Sequence, residues 1–406
     1  FFFPPHPATP DPLWSRGLGD VYKRQFQKLI MLPGPTNVPI EVTQAMVAPS
    51  IGHRTKDFSS MMEEMIRKGK ILFECEEDII HLSASGTAAV EASITNILRK
   101  DDKAIVTVCG EFGGRVSEQI ASVGATPIEL VADYGDFPSL SDFERALEKN
   151  PDAKAAYIVT NETSSGAMCH WLKEAGDLTS KYGTFLVADA VSNWGADKMP
   201  LEDYNIDFIA TGSQKACAAP PGLAMIALSK RYKEQMMNDP QKLHFLNLPR
   251  FIKMSDKVKQ TPFTPCLPVY FALNKAYDIM IEEGMENRYV RHQVCGKAFY
   301  DAFEAMGLQL FGAPEARSNT VISIAYPKGI DDKEFRGSLA KNYGVVVAGG
   351  FGEMVGKIFR VGSLGMINSF YVLTTISSIA NNLNRLGFKA NTDAAINAAL
   401  KNLSKL

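Results

Sequence analysis

One lysine, Lys215, stands just beyond the apolar residues 206–210, in a segment typical of the end of a buried strand. Upstream, the apolar residues 184–188 run directly into Asp189. Ligands of open α/β sheets bind outside the carboxyl ends of the strands, so an amine and an acid at that edge indicate a site. A lysine in such a cleft is partly desolvated, which favours the neutral amine that forms an imine. Taken singly, the lysine would be a solvated loop residue and the aspartate a helix cap.

Residues 83–87 follow a predicted strand and open a predicted helix. Ser85, Gly86 and Thr87 combine hydroxyls, a glycine and free backbone N–H groups at the positive end of that helix, which is typical of a phosphate site. An ordinary serine N-cap has the same composition. The segment is therefore consistent with an anion site without requiring one.

Two more predicted strands end next to side chains that suit a planar ring. Phe112 lies between glycines after the strand at residues 104–109, where it could stack on a ring or belong to the core. Thr163 follows the strand at 155–160 and offers a hydroxyl, although turn chemistry also explains its segment.

Lysine, acid, anion site and aromatic ring together favour pyridoxal phosphate. A carboxylate bonded to the pyridine nitrogen, the role expected of Asp189, keeps that nitrogen protonated. The ring can then accept the electron pair left when a bond to Cα breaks. The cofactor is accordingly predicted to react with Lys215.

Arg360 lies in the predicted strand 358–362, among apolar neighbours. A guanidinium there is costly unless it is paired, and a substrate carboxylate held by two hydrogen bonds is a natural partner. A buried structural ion pair is the alternative. Arg360 is the one carboxylate clamp that the sequence makes evident, which favours small substrates.

The composition describes an ordinary soluble protein. Its 406 residues exceed the usual size of one core, so we expect two domains. With 43 basic and 45 acidic residues, the net charge favours neither nucleic acid nor an anionic membrane. Six scattered cysteines without a C-x-x-C pair predict no metal site and a cytoplasmic location. No apolar run approaches the roughly 20 residues of a membrane span.

The order of elements predicts an α/β architecture. Residues 1–25 lack periodicity and are rich in proline, so we interpret them as a non-native or disordered extension. Strands then alternate with helices, which predicts a mostly parallel sheet covered on both faces. We assign residues 26–285 to an N-terminal arm and a large domain, and residues 286–406 to a small C-terminal α+β domain. One long helix is expected to run from about residue 271 to Met306.

From about Leu32 to its end, the sequence resembles the class V aminotransferases of fold type I. The likeness is greatest to the branch of alanine–glyoxylate and serine–pyruvate or serine–glyoxylate aminotransferases. The motifs that carry it lie at residues 33–35, 85–87, 162–166, 189–191, 212–215, 219–222, 261–265, 349–350 and 359–362. The resemblance implies a large domain with a mostly parallel seven-stranded sheet flanked by helices, and a smaller C-terminal domain.

The resemblance also implies roles for individual residues. Lys215 would form the Schiff base with pyridoxal 5′-phosphate, Asp189 would bind the pyridine nitrogen, and Arg360 would bind the substrate carboxylate near Gly34. The remaining cofactor contacts would come from Ser85, Gly86, Thr87 and Gln214 at the phosphate, Phe112 and Val191 at the ring faces, and Thr163 at the phenolic oxygen. Thr87 and Phe112 stand where some relatives have histidine and tryptophan, so substrate preference does not transfer directly.

In the family, the segment around residues 261–264 reaches the phosphate of a neighbouring subunit. Thr264 would therefore complete a site shared across a homodimer. The implied reaction is a ping-pong transfer of an amino group from alanine or serine to glyoxylate or pyruvate. Aspartate is the competing donor. The same fold also leaves open a β-lyase, a cysteine desulfurase or a non-catalytic scaffold.

Overall fold

The computed structural model describes residues 28–406, so the interpretation of residues 1–25 lies outside the described residues. Two large sheets and one short hairpin organise this part of the chain. The strands are β1 (Leu29–Met31), β2 (Ile80–Leu82), β3 (Lys103–Val108), β4 (Thr126–Val131), β5 (Ala155–Val159), β6 (Asn161–Glu162), β7 (Ala167–Met168), β8 (Phe185–Asp189), β9 (Phe208–Gly212), β10 (Ala224–Leu228), β11 (Val321–Ala325), β12 (Val345–Gly349) and β13 (Ile358–Gly362).

Helices separate most of these strands, as the alternating sequence pattern predicts. They are α1 (Ile40–Ala45), α2 (Lys56–Phe73), α3 (Gly86–Ile97), α4 (Glu111–Ser122), α5 (Leu140–Lys149), α6 (Leu172–Tyr182), α7 (Lys230–Asn238), α8 (Leu248–Val258), α9 (Leu267–Glu283), α10 (Met285–Ala305), α11 (Asp332–Asn342), α12 (Ser369–Arg385) and α13 (Thr392–Leu403). No helix among residues 28–406 is both long and apolar enough to cross a lipid bilayer.

The first sheet has seven strands in the order β2-β10-β9-β8-β5-β3-β4. Only β10 runs against its neighbours, so the predicted seven-stranded and mostly parallel sheet is confirmed. Its inner strands are buried along nearly their whole length, which explains why they read as continuous apolar runs. One apolar cluster on each face joins the sheet to its helices, α2, α5, α6 and α9 on one side and α3, α4, α7 and α8 on the other.

The second sheet has four strands in the order β1-β12-β13-β11. Its core includes apolar residues of α10, α11, α12 and α13, which confirms a second, smaller mixed sheet with helices. Strand β1 comes from the N-terminal arm and pairs in parallel with β12. The arm therefore begins in the small sheet and then crosses to the large one. The boundary placed between residues 285 and 286 stays a prediction.

The expectation of one continuous helix up to Met306 is wrong. The helix stops at Glu283, and a new one starts at Met285. Gly284 between them has a φ of +79°, a left-handed conformation that glycine adopts without steric penalty. The sequence does not reveal this break, because the amphipathic spacing continues on both sides of Gly284. A single glycine within a helical pattern is tolerated and does not by itself predict the end of a helix.

An aromatic cluster holds the small sheet together. Phe359 on β13 is fully buried, and its ring centroid lies 4.9 Å from that of Phe335 and 5.4 Å from that of Tyr326. We expect Phe359→Ala to lower the free energy of unfolding by about 3–5 kcal/mol, because it leaves a cavity in a packed core. Denaturant unfolding followed by fluorescence measures this loss. The control Phe370→Ala, at a side chain that is 69% exposed, should change stability by less than about 0.5 kcal/mol. Equal stability of the two variants would contradict the assignment of Phe359 to the core of the small sheet.

Candidate active site

A cavity of about 300 Å³ lies at the carboxyl ends of β5, β8 and β9, between them and the first turns of α3 and α4. Parallel strands bring residues that are far apart in the sequence to this one edge. Ten of the twelve predicted site residues line it: Gly34, Ser85, Gly86, Thr87, Phe112, Thr163, Asp189, Val191, Gln214 and Lys215. Arg360 and Thr264 do not.

The arm holds Lys215 in place from above. The lysine Nζ donates a hydrogen bond to the carbonyl oxygen of Pro33 at 2.5 Å and lies 3.5 Å from the Ser192 Oγ. Thr36 holds the backbone of Lys215, because the Thr36 Oγ1 donates a hydrogen bond to the Lys215 carbonyl oxygen at 3.1 Å. A Cβ atom on Gly34 would stand 2.7 Å from the lysine Cε, so only glycine leaves room for this side chain.

Burial lowers the pKa of Lys215 to about 8. The positive charge of Arg360 acts in the same direction, and the negative charge of Asp189 acts against it. A buried ammonium has lost water without gaining a close carboxylate, so the neutral form is favoured. Near neutral pH the amine is therefore far easier to deprotonate than an ordinary lysine.

Asp189 ends β8 and is held by the backbone of the loop that follows. Its Oδ1 accepts a hydrogen bond from the Val191 N–H at 3.2 Å. Burial raises the pKa of this carboxyl to about 6, and the charge of Glu162 adds to the rise. A cationic group placed beside Asp189 would be stabilised strongly, since the surroundings supply little compensating charge.

Glu162 and Ser192 are further residues of the site for which the sequence predicted no role. Glu162 is fully buried, and its Oε2 accepts hydrogen bonds from the backbone N–H groups of Phe112 and Gly113, both at 3.0 Å. This carboxylate caps the N-terminus of α4 and so fixes the position of Phe112. Ser192 Oγ hydrogen-bonds to the Thr163 hydroxyl and links it to the lysine. An acid shortly after the apolar residues 155–159 was the available signal for Glu162, whereas no local pattern reveals its partners.

Arg360 lies behind the cavity wall. Its Nε donates to the Gly349 carbonyl at 2.8 Å, and its Nη1 donates to the Thr163 carbonyl. Burial lowers the pKa of the guanidinium to about 10, although the charge of Glu162 opposes this shift. The partners of Arg360 are thus mainly backbone oxygens, and no ion pair forms within the described part of the chain. Its contact with a substrate carboxylate stays a prediction.

Thr264 is exposed and lies away from the cavity of its own chain. The preceding segment is anchored by Arg54, whose guanidinium donates to the carbonyls of Thr261 at 2.5 Å and of Pro262 at 3.1 Å. Sequence patterns indicate no more than a surface position for Arg54. A role for Thr264 in the site of a second subunit stays a prediction.

Comparison with known proteins identifies the family. The sequence profile described as aminotransferase class-V matches residues 34–380. The chain belongs to this family. An uncharacterized aminotransferase from Methanocaldococcus jannaschii is 42% identical over 89% of this chain and 94% of its own length. The serine–glyoxylate aminotransferase of Methylorubrum extorquens is 30% identical over 93% of this chain and 96% of its own. The solved ureidoglycine–glyoxylate aminotransferase of Bacillus subtilis has a TM-score of 0.87 at 26% identity, with 94% and 99% of the two chains covered.

Class-V aminotransferases use pyridoxal phosphate, and the cavity of this aminotransferase fits that cofactor. Ser85 is the N-cap residue of α3 but its side chain makes no capping hydrogen bond, so the first N–H groups of the helix remain available to a phosphate. The Gln214 Oε1 is buried without a partner among the described residues, so this amide has an unfilled polar contact. Gly86 leaves space above Val191, since a Cβ there would lie 2.6 Å from the valine Cγ2.

The lowered pKa of Lys215 predicts the pH dependence of cofactor uptake. Only the neutral amine attacks the aldehyde, so the uptake rate of the cofactor-free aminotransferase should rise with pH and level off above about 8. Arg360→Gln removes a charge that lowers the lysine pKa, so it should move this midpoint to higher pH. Stopped-flow absorbance measures both profiles.

Arg336→Gln is the matched control for this experiment. The charge of Arg336 lowers the pKa of Arg360 but is not among the causes of the shift at Lys215. Its midpoint should equal that of the unmodified protein. If the uptake rate of the unmodified protein had its pH midpoint near 10, burial would not lower the pKa of Lys215.

Proposed function

We propose that this aminotransferase moves an amino group from alanine or serine to glyoxylate or pyruvate in a ping-pong reaction. The observation that carries the proposal is Lys215, whose buried amine shares one cavity with Asp189. Two proteins similar to this chain are named for glyoxylate as the amino acceptor, which supports the choice of acceptor.

In this proposal the cavity residues hold the cofactor as the resemblance implies. Asp189 binds the pyridine nitrogen, and Thr163 binds the phenolic oxygen. Ser85, Gly86, Thr87 and Gln214 hold the phosphate, while Phe112 and Val191 contact the two faces of the ring. When bound, pyridoxal phosphate supplies an electron sink for the pair released at the substrate Cα.

Lys215 carries the proton in this proposal. Its Nζ is neutral in a substantial fraction of molecules near pH 8, so it can accept the proton that leaves the substrate Cα. Pro33 and Ser192 lie within hydrogen-bonding distance of the Nζ and orient it from two sides. A general base is most effective when its pKa lies near the working pH, which is the range that burial gives this amine.

Arg360 is proposed to bind the carboxylate that every substrate shares. Two of its donors already hold backbone oxygens, which keeps the guanidinium rigid and leaves the Nη2 group for a ligand. The Thr163 carbonyl that accepts from Arg360 belongs to the residue proposed at the phenolic oxygen. The short segment 162–164 would thus help to position both the substrate carboxylate and the cofactor ring. We propose in addition that Thr264 completes the site in a homodimer.

The cysteines give no support to a desulfurase. That chemistry needs a mobile cysteine with an accessible thiolate near the substrate. No cysteine lines the cavity within residues 28–406, and Cys266 is the one exposed thiol there. Burial raises the pKa of the Cys217 and Cys295 thiols to about 12, so both stay protonated.

A matrix of amino donors and 2-oxo acid acceptors, scored for keto-acid formation by the purified protein, tests the proposal. We expect turnover with alanine or serine as donor and glyoxylate or pyruvate as acceptor. Parallel lines in double-reciprocal plots would be the sign of the ping-pong order. Release of sulfide from cysteine without any amino transfer would reject the proposal in favour of a desulfurase.

Asp189→Asn tests the proposed partner of the pyridine nitrogen. The amide keeps the size of the side chain but not its charge, so the ring nitrogen loses its proton and the electron sink weakens. We expect the turnover number to fall at least about 100-fold, on the scale of other single-group losses in catalysis. Cofactor content, measured by absorbance, should remain detectable. Near-normal turnover in this variant is incompatible with the role given to Asp189.

A further inference from the structure

A second arginine lines the same cavity. Arg115 extends from α4, and its guanidinium carbon lies 4.9 Å from the centroid of the Phe112 ring and 5.5 Å from that of the Phe351 ring. Phe351 comes from the loop after β12 of the small sheet, whereas Phe112 lies on α4, which packs on the large sheet. Arg115 therefore stands where the small sheet meets the cavity wall.

No acid of the described residues pairs with Arg115. Its side chain is exposed, and the positive charge faces two aromatic rings. The arginines that do form ion pairs with carboxylates are Arg99, Arg145, Arg231, Arg288, Arg291 and Arg336. Stacking on rings occupies the face of a guanidinium and leaves the N–H groups in its plane free to bind a carboxylate.

The charges around the cavity leave this cation without an internal counter-charge. Of the residues that the structure describes, three with charged side chains line the cavity, namely Arg115, Asp189 and Lys215, and Asp189 lies in the field of Lys215. The nearby Glu162 is used by the N-terminus of α4, and Glu111 accepts a hydrogen bond from the Tyr134 hydroxyl at 2.7 Å. An anion entering the cavity would therefore meet Arg115 as an uncommitted donor.

We infer that Arg115 binds a second anionic group, carried on the side chain of one substrate. The substrate class would be dicarboxylic amino acids of four or five carbons and the corresponding 2-oxo acids. This inference rests on the proposed function, in which Arg360 takes the carboxylate common to all substrates. One half of the ping-pong reaction would then accept dicarboxylic substrates in addition to the small ones, and the other half would keep a small substrate.

The surroundings of Arg115 favour a fixed receptor. Phe112 and Phe351 are nearly parallel, with ring centroids 6.3 Å apart and an interplanar angle of 22°. Gly352, the next residue, packs so closely on the Glu111 carboxylate that a Cβ atom would overlap it. These contacts hold the loop against α4 and so fix the two rings on which the guanidinium lies.

Arg115→Gln tests the inference through substrate selectivity. The change should lower kcat/KM for aspartate or glutamate about 10- to 100-fold, the range expected for losing a hydrogen bond to a charged group. The values for alanine and serine should change less than about 3-fold, because these substrates carry no second anion. Arg317→Gln is the matched control, since Arg317 also lies over a ring, that of Tyr300, but outside the cavity.

Succinate binding provides a readout that needs no amino transfer. Isothermal titration of the cofactor-loaded protein should show tighter binding of succinate than of propionate, and Arg115→Gln should abolish the difference while Arg317→Gln keeps it. If no donor–acceptor pair supports transfer, the proposed function fails, yet succinate binding still decides the role of Arg115.

Three results would overturn the inference. The first is equal binding of succinate and propionate by the unmodified protein. The second is an equal loss for all substrates in Arg115→Gln, which would mean that Arg115 only positions Phe112. The third is a loss of cofactor affinity in that variant without a change in selectivity, which would assign Arg115 to the phosphate. Arg115→Lys, which keeps the charge but not the planar fork, should retain part of the preference for dicarboxylates.

Discussion

Burial of the Lys215 amine is the constraint on which the rest of the site depends. An ammonium group removed from water without a close counter-ion loses its proton readily, and this is what makes the side chain reactive. The burial is not a property of the large sheet alone. Pro33, Gly34 and Thr36 enclose the lysine from above, and they belong to an arm that begins as a strand of the small sheet. Both sheets are therefore needed to create one reactive amine.

Glu162 connects the parts of the site that would otherwise be independent. Its carboxylate accepts the N–H groups at the start of α4, which places Phe112, and its charge raises the pKa of Asp189. The same charge partly offsets the cost of burying Arg360. A buried acid of this kind is expensive unless its oxygens are hydrogen-bonded, and here both oxygens accept hydrogen bonds. The position of Phe112 and the cost of burying Arg360 thus both depend on the side chain of Glu162.

The two arginines show how an interpretation of substrate size depends on tertiary contacts. Arg360 was evident in the sequence because an arginine among apolar residues of a strand needs a partner. Arg115 was not, because an exposed arginine on an amphipathic helix is usually a solvated residue. Only the approach of Phe351 from the small sheet distinguishes it from such a residue. The sequence-based preference for small substrates rested on counting one guanidinium, whereas the structure places a second at the cavity.

The sequence by itself determined which residues end the strands of the large sheet and therefore meet at one edge. That inference is local, since an apolar run followed by a polar residue marks a strand end, and parallel strands place all their carboxyl ends on the same side. The strand β1 in the second sheet, the break at Gly284, the capping of α4 by Glu162 and the stacking of Arg115 were decided only by the tertiary structure. The last two join residues far apart in the chain, Glu162 with the start of α4 and Arg115 with Phe351, and a single sequence has no periodic signal for such contacts. The break at Gly284 is decided by how α9 and α10 pack on different cores, a competition that the local pattern does not contain.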